Sequence, residues 1–440
     1  MEYKSRRLNQ TTSLVGFIKN IISKYDVATI LLCLIAATIP FKINIGNLAI
    51  IIASVYTVFF FRKENLKKLK SFSAIFPIAF FLIVIISSLL SNKHMEGLKR
   101  LNLEILLVLL VFILVNNKIT KTKISKILIW FTYGTVLSVT ILLIHNVIKV
   151  AQHKELGDLI FHNFTLLYDY HPIYYSLNIS IALFFIIHTK TKWFYKKNKV
   201  VKTGFIIILL LGLILCVSKA ILFINGIIYL FYFSLKIKQL KKKIVYFTIL
   251  GIVSISVFNI HFIKDRFTDG LRFSPEILNF KPTNDFSQKK IFTYQEKTEI
   301  SDLELRYVLS SIGVYHLVKD GKLLLGFKQG DTKDYLNYYF FSYNLGPNWY
   351  EDFNLHNQYT HMLVTYGVFV LIFFLCYLFF SFYEAIKHKN VMHVFFLILV
   401  CFGFLFEVTL VRSKGIVFFY FFNTLFLQNY LNFEDSNNRN

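Results

Sequence analysis

The sequence predicts an all-α polytopic membrane protein, and three observations carry that prediction. Of its 440 residues, 55% are hydrophobic and 18% aromatic, with a mean hydropathy of +0.54. Apolar runs recur that reach or exceed the roughly 17 residues a helix needs to cross ~30 Å of hydrocarbon. Basic residues gather in every second connection between those runs, the asymmetry that marks cytoplasmic loops.

In chain order the runs are roughly 26–42, 46–61, 71–90, 100–116, 126–148, 172–188, 203–218, 220–236, 243–262, 357–382, 391–411 and 415–431. That gives about twelve transmembrane helices, because a lone segment in lipid must satisfy its own backbone hydrogen bonds. The basic connections include Arg62-Lys63 with Lys67-Lys68, Lys118 to Lys126, Lys190 to Lys199, Lys236 to Lys243, and Lys387 with Lys389. Threading the spans in order puts all of these on one side, with both termini. The division is then a bundle of about nine helices over 1–262, a large periplasmic loop over 263–356, and C-terminal helices with a short cytoplasmic tail over 357–440. Met1 to Arg7 is not followed closely enough by an apolar stretch to read as a cleavable signal.

The formal charge of +24 does not point to nucleic acid. Between Lys264 and Asp352 twelve Lys/Arg face thirteen Asp/Glu, so the basic excess lies in the short connections. Cys33, Cys216, Cys376 and Cys401 all fall inside apolar runs and read as small core residues, neither disulfides nor metal ligands. Only Pro77 sits well inside a span, so the paired helix interruptions of many transporters are missing.

A polar stretch of nearly a hundred residues with turn signals and apolar segments is the working face of such a protein, since long loops are functional or disordered. Ser301-Asp302-Leu303-Glu304 has capping-box spacing and opens a helix reaching about Asp320, with Gly321 as its stop. Leu305, Leu309, Ile312 and Leu317 form its apolar stripe. His356 and Asn357 stand where the loop becomes a helix, a place suited to an anion or to proton transfer, and also to a plain interfacial cap. Lys219 interrupts an apolar run at a membrane boundary, either as a snorkelling anchor or facing an anion. Arg306 on the loop helix is either solvated or a phosphate ligand, and Arg266 and Arg272 are interfacial candidates. Asp302 and Glu304 do not share a helix face, and Glu304 is explained by the cap, so no metal or cofactor is expected. The proline of His171-Pro172-Ile173-Tyr174 is accounted for by a helix start. Glu407 and Arg412 read as a structural pair near one membrane face.

With these residues assembled, the chain resembles the O-antigen ligase and polymerase superfamily of bacterial envelope glycan transferases. The resemblance runs over roughly 170–430 and rests on His356-Asn357-Gln358-Tyr359 with Gly367, on Ser218-Lys219, and on Arg306 followed by Gly326 and Gly330. Two positions depart: Val370 stands where a second glycine is usual, and Lys219 replaces an arginine, keeping charge but losing bidentate geometry. The resemblance implies a GT-C-like architecture in the bacterial inner membrane. It implies a glycan donor on undecaprenyl pyrophosphate and, as acceptor, a hydroxyl of a glycolipid such as lipid A-core or of another glycan. His356 would be the base or a phosphate ligand. Arg306, Lys219 and Arg266 would serve the pyrophosphate, with Asn357 and Tyr359 beside the substrate and Trp349 and Tyr174 as sugar-stacking candidates. A ligase and a polymerase differ only in acceptor, and a transporter of lipid-linked sugars is the more remote alternative.

Overall fold

The computed structural model describes residues 26–154, 156–189, 199–246, 270–346 and 353–437, with isolated positions between 247 and 269. Arg266, Trp349, Asn438 and most of the expected span 243–262 lie outside the described residues. Among the described residues every regular element is a helix. The longer ones are α1 (Val27–Thr38), α2 (Ile43–Phe59), α3 (Phe72–Leu89), α4 (Leu101–Val115), α5 (Lys121–His153), α6 (Pro172–His188) and α7 (Lys199–Leu215). After them come α8 (Lys219–Lys236), α9 (Asp302–Lys319), α10 (Thr332–Ser342), α11 (Gln358–Tyr366), α12 (Val368–Lys387), α13 (Val391–Gly403) and α14 (Ser413–Asn437).

By length and apolarity α3, α5, α8 and α12 can each cross a membrane, making four candidate spans among the described residues. The count reaches six if two bent pairs, Ile43–Phe59 with Lys63–Lys70 and Phe161–Tyr168 with Pro172–His188, are each one span. Helix α13 is apolar but ends at Gly403, short of the expected limit at 411. The result is a helical protein of membrane-spanning character.

Helices α6 and α14 form the centre. Every residue from Pro172 to Ile186 is buried, as is every residue from 415 to 430. A helix apolar on all sides belongs in a core, not at a surface. Aromatic rings fill the space between helices: Phe184 of α6 stacks on Phe395 of α13 at 3.8 Å, and Phe76 of α3 on Tyr377 of α12 at 4.1 Å. The buried Ser176 and Ser180 hydroxyls donate to the carbonyl one turn back at 2.8 and 2.7 Å, a bond available to a short hydroxyl inside a helix.

Loop contacts divide the bundle into two ends. At one end Asp26 pairs with Lys123 at 2.9 Å, and the Arg62 N–H donates to Asn116 Oδ1 at 2.9 Å. The other end carries a cap formed by the long loop. There Asp331 accepts from the Asn92 and Lys93 N–H groups at 2.8 and 2.9 Å, and Lys414 Nζ donates to the Asp169 carbonyl at 2.8 Å.

The cap has its own core, in which Val308, Leu309, Ile312, Phe327, Phe340 and Tyr343 are buried together with Leu355 and Val364. The expected capping box opens α9: the Glu304 N–H donates to Ser301 Oγ at 3.1 Å and the Ser301 N–H to Glu304 Oε2 at 2.8 Å. The helix stops at Lys319, and Gly321 takes φ +67°.

The expected span 357–382 is divided at Gly367, where φ is +86° and α11 gives way to α12. A piece of the cap fills the break. The Phe327 and Lys328 N–H groups donate to the Val364 and Thr365 carbonyls at 2.8 and 2.9 Å, and the Val368 N–H returns to the Leu323 carbonyl at 2.9 Å. Two backbones touch here, so neither crossing point has room for a side chain. A Cβ on Gly367 would sit 2.1 Å from the Leu324 carbonyl oxygen, and one on Gly326 would sit 2.4 Å from Thr365 backbone atoms.

Candidate functional site

The turn before α11 is built by local polar chemistry. The His356 N–H donates to Asn354 Oδ1 at 2.8 Å, and His356 itself sits at φ +46°. A side chain in that region of backbone space is uncommon and held by its surroundings. Asn357 follows as the N-cap of α11, its Oδ1 accepting the Tyr359 and Thr360 N–H groups at 2.9 and 3.0 Å.

This turn aims His356 at the loop after α13. His356 Nδ1 lies 3.1 Å from Glu407 Oε2, and the Val408 N–H donates to the other carboxylate oxygen at 3.2 Å. The same Oε2 is 3.9 Å from Nε2 of His171, whose ring meets that of His162 edge-on at 4.9 Å. Burial alone would raise the Glu407 pKa. The hydrogen bond from His356 and the charges of His171, His356 and Arg306 outweigh it, holding the carboxyl down at about 2. Burial, aided by the charges of His162, His356 and Arg412, outweighs the pull of Glu407 and drives His171 down to about 4. At neutral pH Glu407 is therefore an anion beside an uncharged His171.

Two cations stand close by. Arg306, one turn into α9, donates from Nε to the Phe406 carbonyl at 3.1 Å and from Nη1 to the Asp302 carbonyl at 2.7 Å. Lys219 begins α8 and meets Asp302 Oδ2 at 3.0 Å. Lys219, Arg306, His356, His171, His162 and Asp302 all line one cavity of about 590 Å³. Its other walls are apolar, among them Phe223, Phe402, Phe406, Leu305 and Ile173. A deep apolar pocket with a few converging polar groups is the usual form of a small-molecule or cofactor site.

The structure thus brings His356, Arg306 and Lys219 together from positions far apart in the chain. Asn357 and Tyr359 do not line this cavity: Asn357 Oδ1 is occupied by the helix cap, and the Tyr359 hydroxyl donates to the Cys401 carbonyl at 3.0 Å inside the bundle. Tyr174 is buried, with its hydroxyl on the Val408 carbonyl at 3.1 Å. Arg272 donates to the Glu299 carbonyl, and Arg266 and Trp349 are outside the described residues. Glu304 accepts the Ser274 and Ser301 N–H groups. Among the described residues no three His, Cys, Asp or Glu side chains are grouped to hold a metal ion.

Sequence reasoning missed His162 and gave Glu407 the wrong neighbour, since its partner is His356, 51 positions away, not Arg412. The available signal was an acid next to apolar spans, which is rare without a purpose. No family model matches the chain, and no curated protein matches it.

Proposed function

We propose that the chain is an O-antigen ligase-like glycosyltransferase, moving a glycan from undecaprenyl pyrophosphate to an acceptor hydroxyl on the periplasmic face of the bacterial inner membrane. One observation carries this reading: an imidazole bonded to a carboxylate shares an apolar-walled cavity with two cations at the junction of cap and bundle. The resemblance carried by His356, Gly367 and Arg306 supports it, as does the alternation of basic connections. In the full proposal the chain has about twelve spans, GT-C-like architecture and cytoplasmic termini, with the cap periplasmic.

In this mechanism Glu407 fixes the His356 ring through Nδ1 and leaves Nε2 to accept the acceptor hydroxyl's proton. The acceptor oxygen bonds to the anomeric carbon as the bond from that carbon to the pyrophosphate oxygen breaks, and the electron pair leaves with the lipid pyrophosphate. Arg306 and Lys219 stabilise the departing charge in a site of low polarity. Asp302 neutralises Lys219 at rest, so the donor's phosphate takes over a place the carboxylate holds. The apolar walls suit the polyprenyl chain.

The test is the surface glycan profile of a strain lacking the gene, repeated with His356→Ala supplied in its place. Long chains retained on the carrier lipid with none on the glycolipid acceptor support ligation. Glycolipids bearing only single repeats reassign the same chemistry to polymerisation. An unaltered profile in both strains removes the proposal, and carrier-linked glycan trapped on the cytoplasmic side favours transport.

A further inference from the structure

A second cavity, of about 520 Å³, opens at the end of the bundle opposite the cap and shares no lining residue with the first. It lies between the starts of α5 and α13, the ends of α6 and α14, and the turn from α12 to α13. That turn is sharp: Lys389 takes φ +50°, and Asn390 caps α13 through the His393 N–H at 3.1 Å. The back wall is rigid. Tyr430 stacks face-to-face on His388 at 4.3 Å, and its hydroxyl meets His393 Nδ1 at 2.9 Å.

The lining divides by chemistry. Lys121, Lys387 and Lys389 are exposed, while Leu128, Met392 and Phe426 are buried. No lining residue is acidic. Glu384, outside the lining, sits 3.8 Å from Lys387 and 3.4 Å from His388, so it offsets part of the charge there. Cations beside a recess with Leu128, Met392 and Phe426 in its wall are complementary to an amphiphile with an anionic head and an apolar tail. Basic groups near a membrane surface attract anionic lipid, and a recess adds burial of the chain. We infer that this cavity binds one anionic phospholipid, its phosphate at Lys121 and Lys389 and an acyl chain against Leu128, Met392 and Phe426. The inference is independent of what the cap-end cavity does.

The full chain, purified in neutral detergent with phosphatidylcholine, is titrated with phosphatidylglycerol while its thermal transition is followed. The expected rise is about 2–4 °C, the size produced when a ligand binds only the folded state. Neither further phosphatidylcholine nor inorganic phosphate should produce it. Lys121→Gln with Lys389→Gln should lose the shift. Ser125→Phe should lose it too, because it fills the cavity without removing a charge. Lys67→Gln with Lys68→Gln, basic but outside the cavity, should keep it. Each variant's transition in phosphatidylcholine alone reports whether it folds, and Ser125→Leu replaces Ser125→Phe if that one does not. An equal rise with phosphatidylcholine or with phosphate alone overturns the inference. So does a shift that survives filling the cavity, or one lost equally at Lys67 and Lys68.

Discussion

Glu407 reaches His356 with one carboxylate oxygen, so removing its charge while keeping its shape isolates what the pair does. Glu407→Gln should lower kcat by about 10²-fold, within the range that general-base catalysis supplies, and leave donor binding nearly unchanged. Unchanged turnover would reduce the contact to packing. Glu407, held at about 2, is ionised throughout the neutral range, so the variant removes a full negative charge. At the cations, Lys219→Arg should keep or raise activity, since a guanidinium offers phosphate a second contact. Asp302→Asn removes Lys219's competing partner at 3.0 Å and should lower the donor's KM several-fold. A raised KM would mean that Asp302 places Lys219 instead of competing for it.

Among elements, the crossing of 323–328 with the break between α11 and α12 is the most exacting. Gly367→Ala must take φ +86° and also bring a methyl group to 2.1 Å from a carbonyl oxygen. Backbone strain and overpacking together should cost about 3 kcal/mol or more, read as a lower thermal transition and poor recovery on gel filtration. A variant as stable as the parent would show that the crossing yields easily. The α9 capping box sets a pH dependence. Burial works to raise the Glu304 pKa, but N–H groups of Ser301 and Ser274 lower it overall. A carboxyl depressed on folding contributes stability that is present above its ordinary pKa near 4.5 and lost as pH falls through the lower folded value. Glu304→Gln should therefore destabilise by about 1–2 kcal/mol at neutral pH, with the gap from the parent closing only under acid. Denaturant unfolding at several pH values measures this, and a gap constant down to strong acid would exclude an ionised cap. This box was legible in the sequence because its partners are three residues apart. So were the apolar stripe of α9 and the stop at Gly321, each set by neighbours along one helix. Helix α10 was not, because its Tyr- and Phe-rich face acquires a reason to be helical only against α9 and Phe327. The break at Gly367 stayed hidden for the same reason: an apolar run reads as one span until a distant segment is seen lying in it.

For the molecule as a whole, the division into two ends gives the topology test. In a background without native cysteines, Asn284→Cys should react with a membrane-impermeant reagent on intact cells, and Asn438→Cys only after lysis. The reverse pattern would invert the orientation. The alternation of basic connections was plain in the sequence because charge placement is local. The meeting of Lys219, Arg306 and His356 around one cavity was only partly so, because positions so far apart are brought together by packing no local signal reports.

The crossing at Gly326 and Gly367 also orders events during synthesis. Residues 323–328 leave the ribosome well before 364–368, yet the Phe327 and Lys328 N–H groups take their acceptors from that later segment. The cap's own core needs Leu355 and Val364 as well. The cap therefore stays unfinished until the chain through Val368 has been made, and it closes only then. A nascent chain stalled before Asn357 should present a cap open to protease on the far side of the membrane. One extended well past Val368 should present it closed.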